Sequence, residues 1–500
     1  MKKLVIITSD LYVRNYLQTD ALSQIEDENC YFLASDEVTL REPLQAKANF
    51  FGFFHYDAAR TRNNMFMTNV LMLRHQNRSR TFSYRFRRMR ENTWKQFSAE
   101  KLAQSKTYQH LSRVLPQPIS HLLALQVARA LKLLKLSTAD RENIGIALLG
   151  RPGIAELYGQ WFERAVKPSQ DLENAIARLK PDVVIFPCLA IDPPGNDIVR
   201  LQKKLGYRSL FLIDNWDNLS SKSVFLHQPD YMAVWGQQSV EHAWEIHGLP
   251  AERVFPVGTP RFQHYFDTIK TIRSTGQNPE SPYPFPYVLY VGCAIPFDEL
   301  SSLKILDEVL KAINQHRTEP LRVVYRPHPW RQKRSCPDVL NLDDFSYVVL
   351  DEQLKEQYYQ PQRSGLFQPS LAYYPKLLAN AELVVGPLTT MLLEAAIFRK
   401  KILAIAYDDG VHLTTPHNAL KYYRHFEGLT DMPGMRFSHR KANFGEDFMN
   451  WFNIAPEQVD WAGQSEKLGY YLFQDDQSYP ERLKRVLDRI ELIESQKSVN

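Results

Sequence analysis

The feature that most constrains this chain is an alternation of short β-branched runs with longer helical patterns, written twice along 500 residues and interrupted once by a stretch without periodicity. Short runs that are apolar throughout belong to parallel strands, because right-handed crossovers lay helices over both faces of such a sheet. In the first half these runs are Lys3 to Ser9, Cys30 to Ala34, Val183 to Pro187, Ser209 to Asp214, Tyr231 to Trp235 and Val254 to Val257. In the second they are Tyr287 to Gly292, Arg322 to Arg326, Tyr347 to Leu350, Leu383 to Gly386 and Ile402 to Ala406. Between them Thr271 to Pro286 reads TIRSTGQNPESPYPFP, whose four prolines mark a linker. The expected organisation is α/β. A Rossmann-like domain spans 1–270 with a helical, basic insertion at about 58–140, a linker spans 271–286, and a second Rossmann-like domain spans 287–479. An amphipathic C-terminal helix over 480–500 carries Leu483, Val486, Leu487, Ile490, Leu492 and Ile493 at helical spacing.

Composition excludes several classes. A chain 44% hydrophobic and 23% charged is a folded globular protein, and a net charge of only +5 does not describe a nucleic-acid binder. Cys30, Cys188, Cys293 and Cys336 form no close pair, which argues against a zinc site or a disulfide framework and for a reducing cytoplasm. The apolar run after Met1 is too short for a signal peptide. Ile119 to Leu136 is broken by His121, Gln126, Arg129, Lys132 and Lys135, so membrane contact would be peripheral. Between Ala58 and Arg90 stand nine arginines and no acid, interleaved with Phe66, Phe82, Tyr84 and Phe86. This pattern fits an anionic membrane or a lipid-linked acceptor at the Arg60–Arg90 region, single-stranded RNA, or a solvated basic face.

Two segments carry donor-site chemistry. In Val323-Val-Tyr-Arg-Pro-His-Pro-Trp330 a buried strand delivers Arg326 and His328 into a loop held extended by Pro327 and Pro329, where both would meet phosphate oxygens, beside Arg331, Lys333 and Arg334. In Ala381 to Ala396 a strand enters Gly386-Pro387, and a helix opens near Thr389 or Thr390. Its free N–H groups, hydroxyls and dipole would seat a phosphate, with Glu394 receiving ribose hydroxyls. Gly292, closing the first strand of this half, joins the nucleotide-binding set. An ordinary strand end and a plainly capped helix are the alternatives.

Arg326-Pro-His-Pro329 followed by Gly386-Pro-Leu-Thr-Thr-Met-Leu-Leu-Glu-Ala395 resembles the donor half of bacterial surface-polysaccharide glycosyltransferases of the GT-B fold. Capsule-type Kdo transferases, bacterial sialyltransferases and CDP-glycerol glycerophosphotransferases in that group share an HP motif and a later Ser/Thr-Ser/Thr motif that bind the cytidine nucleotide. His328-Pro329 and Thr389-Thr390 match by type and order, and Trp235 to Arg261 is similar to the segment joining the two domains of those enzymes. The resemblance covers roughly Asp214 to Ala406 and implies a nucleotide-sugar donor, a glycan or lipid-linked glycan acceptor, and a CMP donor carrying Kdo or another nonulosonate. Glu394-Ala395 with Lys401 also looks like the motif of UDP- and GDP-sugar enzymes, which leaves the base open.

An inverting transfer needs a carboxylate at the acceptor hydroxyl. Asp214 and Asp217 flank Trp216, a candidate sugar-stacking ring, after a buried strand; Asp10, after the first strand, is their rival. No metal or other cofactor is expected, since Asp343-Asp344, Asp408-Asp409 and Asp475-Asp476 lack the Asp-x-Asp spacing of a diphosphate-metal clasp, and cationic side chains and a helix N-terminus supply the charge. Three other readings stay open: a CDP-polyol phosphotransferase, a UDP-sugar 2-epimerase, and a non-catalytic protein binding an anionic glycan or nucleic acid.

Overall fold

A computed structural model describes residues 1–79, 105–134, 138–222, 224–294, 297–328, 342–359, 370–410, 412 and 415–499. It contains two parallel sheets. The first has seven strands in the order β3-β2-β1-β4-β5-β6-β7: β1 Lys3–Ile7, β2 Cys30–Ser35, β3 Phe50–Phe54, β4 Val183–Cys188, β5 Arg208–Ile213, β6 Tyr231–Val234 and β7 Val254–Pro256. The second has six in the order β10-β9-β8-β11-β12-β13: β8 Tyr287–Val291, β9 Arg322–Arg326, β10 Val348–Leu350, β11 Leu383–Pro387, β12 Ile402–Ile405 and β13 Met435–Ser438. Every pairing is parallel. The second order is that of a Rossmann sheet, with its reversal between β8 and β11; the first sheet reverses between β1 and β4. This is a doubly wound α/β architecture of two Rossmann-like domains.

Alternation of side chains fixes which residues face which layer. Val5 and Ile7 of β1 join one core with Ile185, Leu210 and Leu212, while Leu4 and Ile6 join the opposite core with Val184, Phe186 and Phe211. In the second sheet Leu289 and Val291 face one layer, Val288 and Tyr290 the other.

The sequence pattern missed β3 and β13. β3 reads FFGFF, aromatic residues around Gly52 at φ 122°, and β13 is a four-residue edge strand with Arg436 exposed, so neither shows the β-branched run that marks most of the other strands. Thr271 to Thr275, read as the start of the linker, continue the helix Gln263–Thr275, which Gly276 ends at φ 69°. The helix Tyr479–Val499 packs on the first sheet, where Leu483, Val486, Leu487 and Ile490 share a core with Val5 and Ile7 and Arg482 Nε donates to the Val257 carbonyl at 2.9 Å. This helix therefore belongs to the first domain, although it follows the second in sequence.

Between β3 and β4 the helices include Ala58–Ser79, Gln117–Leu134, Thr138–Leu149 and Ile154–Ala165. On Gln117–Leu134 one face is apolar and exposed: Ile119 at 48%, Leu122 at 57%, Leu123 at 41% and Val127 at 40%. Arg74 pairs with Glu156, and Arg60 with Asp57; the later part of the arginine stretch, with Phe82, Tyr84 and Phe86, lies outside the described residues. Among the described residues no helix is long and apolar enough to cross a membrane.

Candidate functional site

In the second domain, β8 lies between β9 and β11, so the loops leaving those two strands flank a single strand end at the sheet's reversal. Gly292 N–H donates to the Arg326 carbonyl at 2.8 Å. A Cβ on Gly292 would stand 2.9 Å from His328 N, and one on Gly386 would stand 2.2 Å from the Val291 carbonyl oxygen. Both glycines are there because neighbouring backbone comes too close for a side chain. The HP loop and the Gly-Pro-Leu-Thr-Thr turn are thus held against opposite sides of one strand end. His328, Thr389 and Thr390 are half-buried there; Pro329, Arg331, Lys333 and Arg334 lie outside the described residues.

Thr390 occupies the N-cap position of the helix Met391–Ile397 without a side-chain capping bond. Its Oγ1 instead accepts from Trp216 Nε1 at 3.3 Å, so the turn meets the loop after β5 of the other domain. Gln238 Nε2 donates to the His425 carbonyl at 3.2 Å across the same seam. Carboxyl ends of strands from both sheets therefore face one another.

Three sequence expectations change. Arg326 is not presented to a ligand: it is 3% exposed, its Nη1 lies 2.5 Å from Asp351 Oδ2, and its guanidinium packs 4.3 Å from the Tyr374 ring centroid. As the last residue of β9, its side chain points into the layer behind the sheet, and burial is outweighed by Tyr374 and Asp351, which raise its pKa. Glu394 is buried, and each oxygen already has a donor, Arg261 Nη2 at 3.0 Å and Tyr265 O–H at 2.6 Å; it ties its helix to the segment before β8 rather than standing open to a ribose. Trp216 is 2% exposed, packed edge-on against His425, Phe426 and Tyr471, and offers no face to a sugar.

The carboxylates proposed as base differ in what holds them. Asp10 accepts from the N–H groups of Thr39 and Leu40 at 2.8 and 2.9 Å and from Thr39 Oγ1 at 2.5 Å, which makes it the clasp of a turn. Asp217 accepts from Ser221 Oγ at 2.9 Å and lies 3.3 Å from Lys222 Nζ; burial pushes its carboxyl up, and Lys222 and His425 pull it below the usual range. Asp214 is 2% exposed, bound at Oδ1 by Asn15 Nδ2 at 2.9 Å; burial raises its pKa against that bond and the fields of Arg261 and Arg14.

Sequence reasoning missed the π-helical turn Val13–Leu17 after β1. Such turns occur often at functional sites. It sends Asn15 to Asp214 and Arg14 toward Tyr374, Arg261 and Tyr265, with burial depressing the Arg14 pKa. Tyr12, just before the turn, donates to Asp192 Oδ2 at 2.7 Å. In the sequence only the polar loops that follow the strands, Thr8-Ser9-Asp10, Asp192 to Asp197 and Asp214 to Asn218, signal this cluster, and no local pattern marks the turn itself.

A cavity of about 930 Å³ lies away from the seam, at the β13 edge, with Arg436, His439, Trp451 and Asp460 among its walls. Among the described residues no group of three or more His, Cys, Asp or Glu side chains is gathered to hold a metal ion.

No protein-family model and no curated protein matches this sequence. Among solved structures the chain is similar to the UDP-GlcNAc 2-epimerase of Methanocaldococcus jannaschii, at 11% identity and a TM-score of 0.44 over 97% of this chain and 99% of that one. It is similar to the calicheamicin glycosyltransferase CalG4 at 12% identity and a TM-score of 0.43, covering 98% and 99%. The wall teichoic acid polymerase TagF aligns at 13% identity and a TM-score of 0.33, covering 65% of this chain and 93% of that one.

Proposed function

We propose that this chain is a glycosyltransferase that moves a sugar from a nucleotide-activated donor to a hydroxyl of a cell-surface polysaccharide or lipid-linked glycan. The observation that carries the reading is the juxtaposition at β8: His328 on one side of the strand end, Thr389 and Thr390 on the other, facing Trp216 of the opposing domain. An imidazole and a turn of backbone N–H groups at one point suit a phosphate anion and need no metal ion. The resemblance of His328-Pro329 and Thr389-Thr390 to the cytidine-binding motifs favours a CMP-linked donor such as Kdo, transferred at the inner face of the cytoplasmic membrane.

Thermal protection by CMP, CDP, UDP and GDP tests this directly. CMP is expected to protect most, and His328→Ala to lose at least about tenfold in nucleotide affinity with its melting temperature in the absence of nucleotide retained. Preferential protection by CDP-glycerol moves the reading to a polyol-phosphate transferase, and isomerisation of UDP-GlcNAc without acceptor moves it to an epimerase. Absence of protection by every nucleotide refutes it.

A further inference from the structure

Resting on the transferase reading, we infer that Asp192, rather than Asp214, Asp217 or Asp10, is the general base that takes the proton from the acceptor hydroxyl. Asp192 follows β4 and Tyr12 follows β1, so their bond spans the reversal point of the first sheet, where an open α/β sheet binds ligands. The two bonds it accepts from other residues, Tyr12 O–H at 2.7 Å and Leu189 N–H at 2.5 Å, both fall on Oδ2, so among the described residues no other residue holds Oδ1, which leaves it for a substrate. The residue is half-buried, whereas Asp214 is closed off, Asp217 is held by Ser221 and Lys222 with its other oxygen shut inside the protein, and Asp10 is spent on a turn. A cavity of about 10 Å³ opens beside it, walled by Thr68, Cys188, Asn196 and Phe225. That is room for about one hydroxyl or water.

The groups around this carboxylate set its basicity. Burial pushes Asp192 up to about 6; the bonds from Tyr12 and Leu189 pull it down, and Asp214 adds to the rise. Cys188 stands near it with its thiol held up by burial, and Tyr56, whose O–H donates to the Pro193 carbonyl at 3.2 Å, is likewise held up by burial. None of these neighbours is a cation, so no positive charge offsets the rise; at about 6 the carboxyl is still ionised at neutral pH yet basic enough to accept a proton. In the step, the acceptor O–H proton passes to Asp192 Oδ1 as the acceptor oxygen bonds to the anomeric carbon. The bond from that carbon to the donor phosphate oxygen breaks, its electron pair leaves with the nucleotide, and Asp192 then releases the proton to water.

The test measures nucleotide release from CMP-, CDP-, UDP- and GDP-linked sugars with methyl glycosides as acceptors, following kcat/KM against pH for the donor that wild type uses. Asp192→Asn is expected to lose about 100-fold or more while keeping wild-type thermal protection by the free nucleotide. Tyr12→Phe removes a bond that favours the carboxylate, so it is expected to move the acidic limb of the profile up by about one pH unit, a change a packing role would not cause. Asp192→Asn within twofold of wild type, or an acidic limb unmoved in Tyr12→Phe, overturns the inference and leaves the transferase reading standing. Wild-type failure with every donor overturns that reading and takes this inference with it.

Discussion

Arg326→Gln separates a structural arginine from a phosphate ligand. The native guanidinium is 3% exposed, holds Asp351 Oδ2 at 2.5 Å and lies over Tyr374; Asp351 is fully buried. Its Oδ1 keeps Tyr373 O–H and Gln353 N–H, each at 3.0 Å, so the substitution strips the charge partner from a carboxylate that retains only neutral donors. Breaking one half of a buried pair costs about 3–5 kcal/mol. The pair is itself imperfect, because Arg326 Nη2 is buried without a hydrogen-bond partner among the described residues. Replacing both members, as Arg326→Met with Asp351→Leu, is therefore expected to recover most of the loss, since desolvation of the two charges offsets much of their attraction. Urea titrations of wild type, both single variants and the double variant, compared at constant m-value, close the cycle. A cost below about 1 kcal/mol for Arg326→Gln, together with loss of nucleotide protection, would return Arg326 to the donor site and refute the argument.

Two further outcomes follow from burial and exposure. Burial drives the histidines His242, His247 and His425 down to about 3, 4 and 4, so the folded state refuses protons that the unfolded chain binds below its own pKa near 6.5. The stability they allow is fully present above that pH and is lost as pH falls, by up to about 2 kcal/mol for each histidine between pH 6.5 and 5; melting temperature is expected to drop steeply over that interval and less so in His425→Gln, and a flat profile would refute this. The apolar face of the helix Gln117–Leu134 is expected to bind vesicles of phosphatidylcholine with phosphatidylglycerol and to release them after Leu122→Ser with Val127→Ser; equal sedimentation of the two proteins would show that this face does not meet lipid.

What the sequence displayed and what it hid divide along a physical line. Strands buried on both faces, such as KLVII and VVIFPC, announce themselves because every position is apolar, and the strand ends that follow them were legible for the same reason. That the loops after β9 and β11 leave the same edge on either side of β8 was legible too, since all carboxyl ends of a parallel sheet lie at one edge and a Rossmann order puts β8 between those strands. Partner choice was not. Arg326 looks the same in sequence whether it meets a phosphate or Asp351, 25 positions on, and Glu394 looks the same whether it meets a ribose or Arg261 and Tyr265 from 133 and 129 positions before. Both belong to strongly polar motifs, yet a buried charge must find its counter-charge inside the protein before it can serve a ligand. The residues left for chemistry are accordingly those with one satisfied and one open oxygen at a half-buried edge. Asp192 is such a residue: the sequence showed only that it opens the polar loop after β4, and the feature that singles it out, a tyrosine 180 positions earlier and just before a π-helical turn, exists only once β1 and β4 lie side by side.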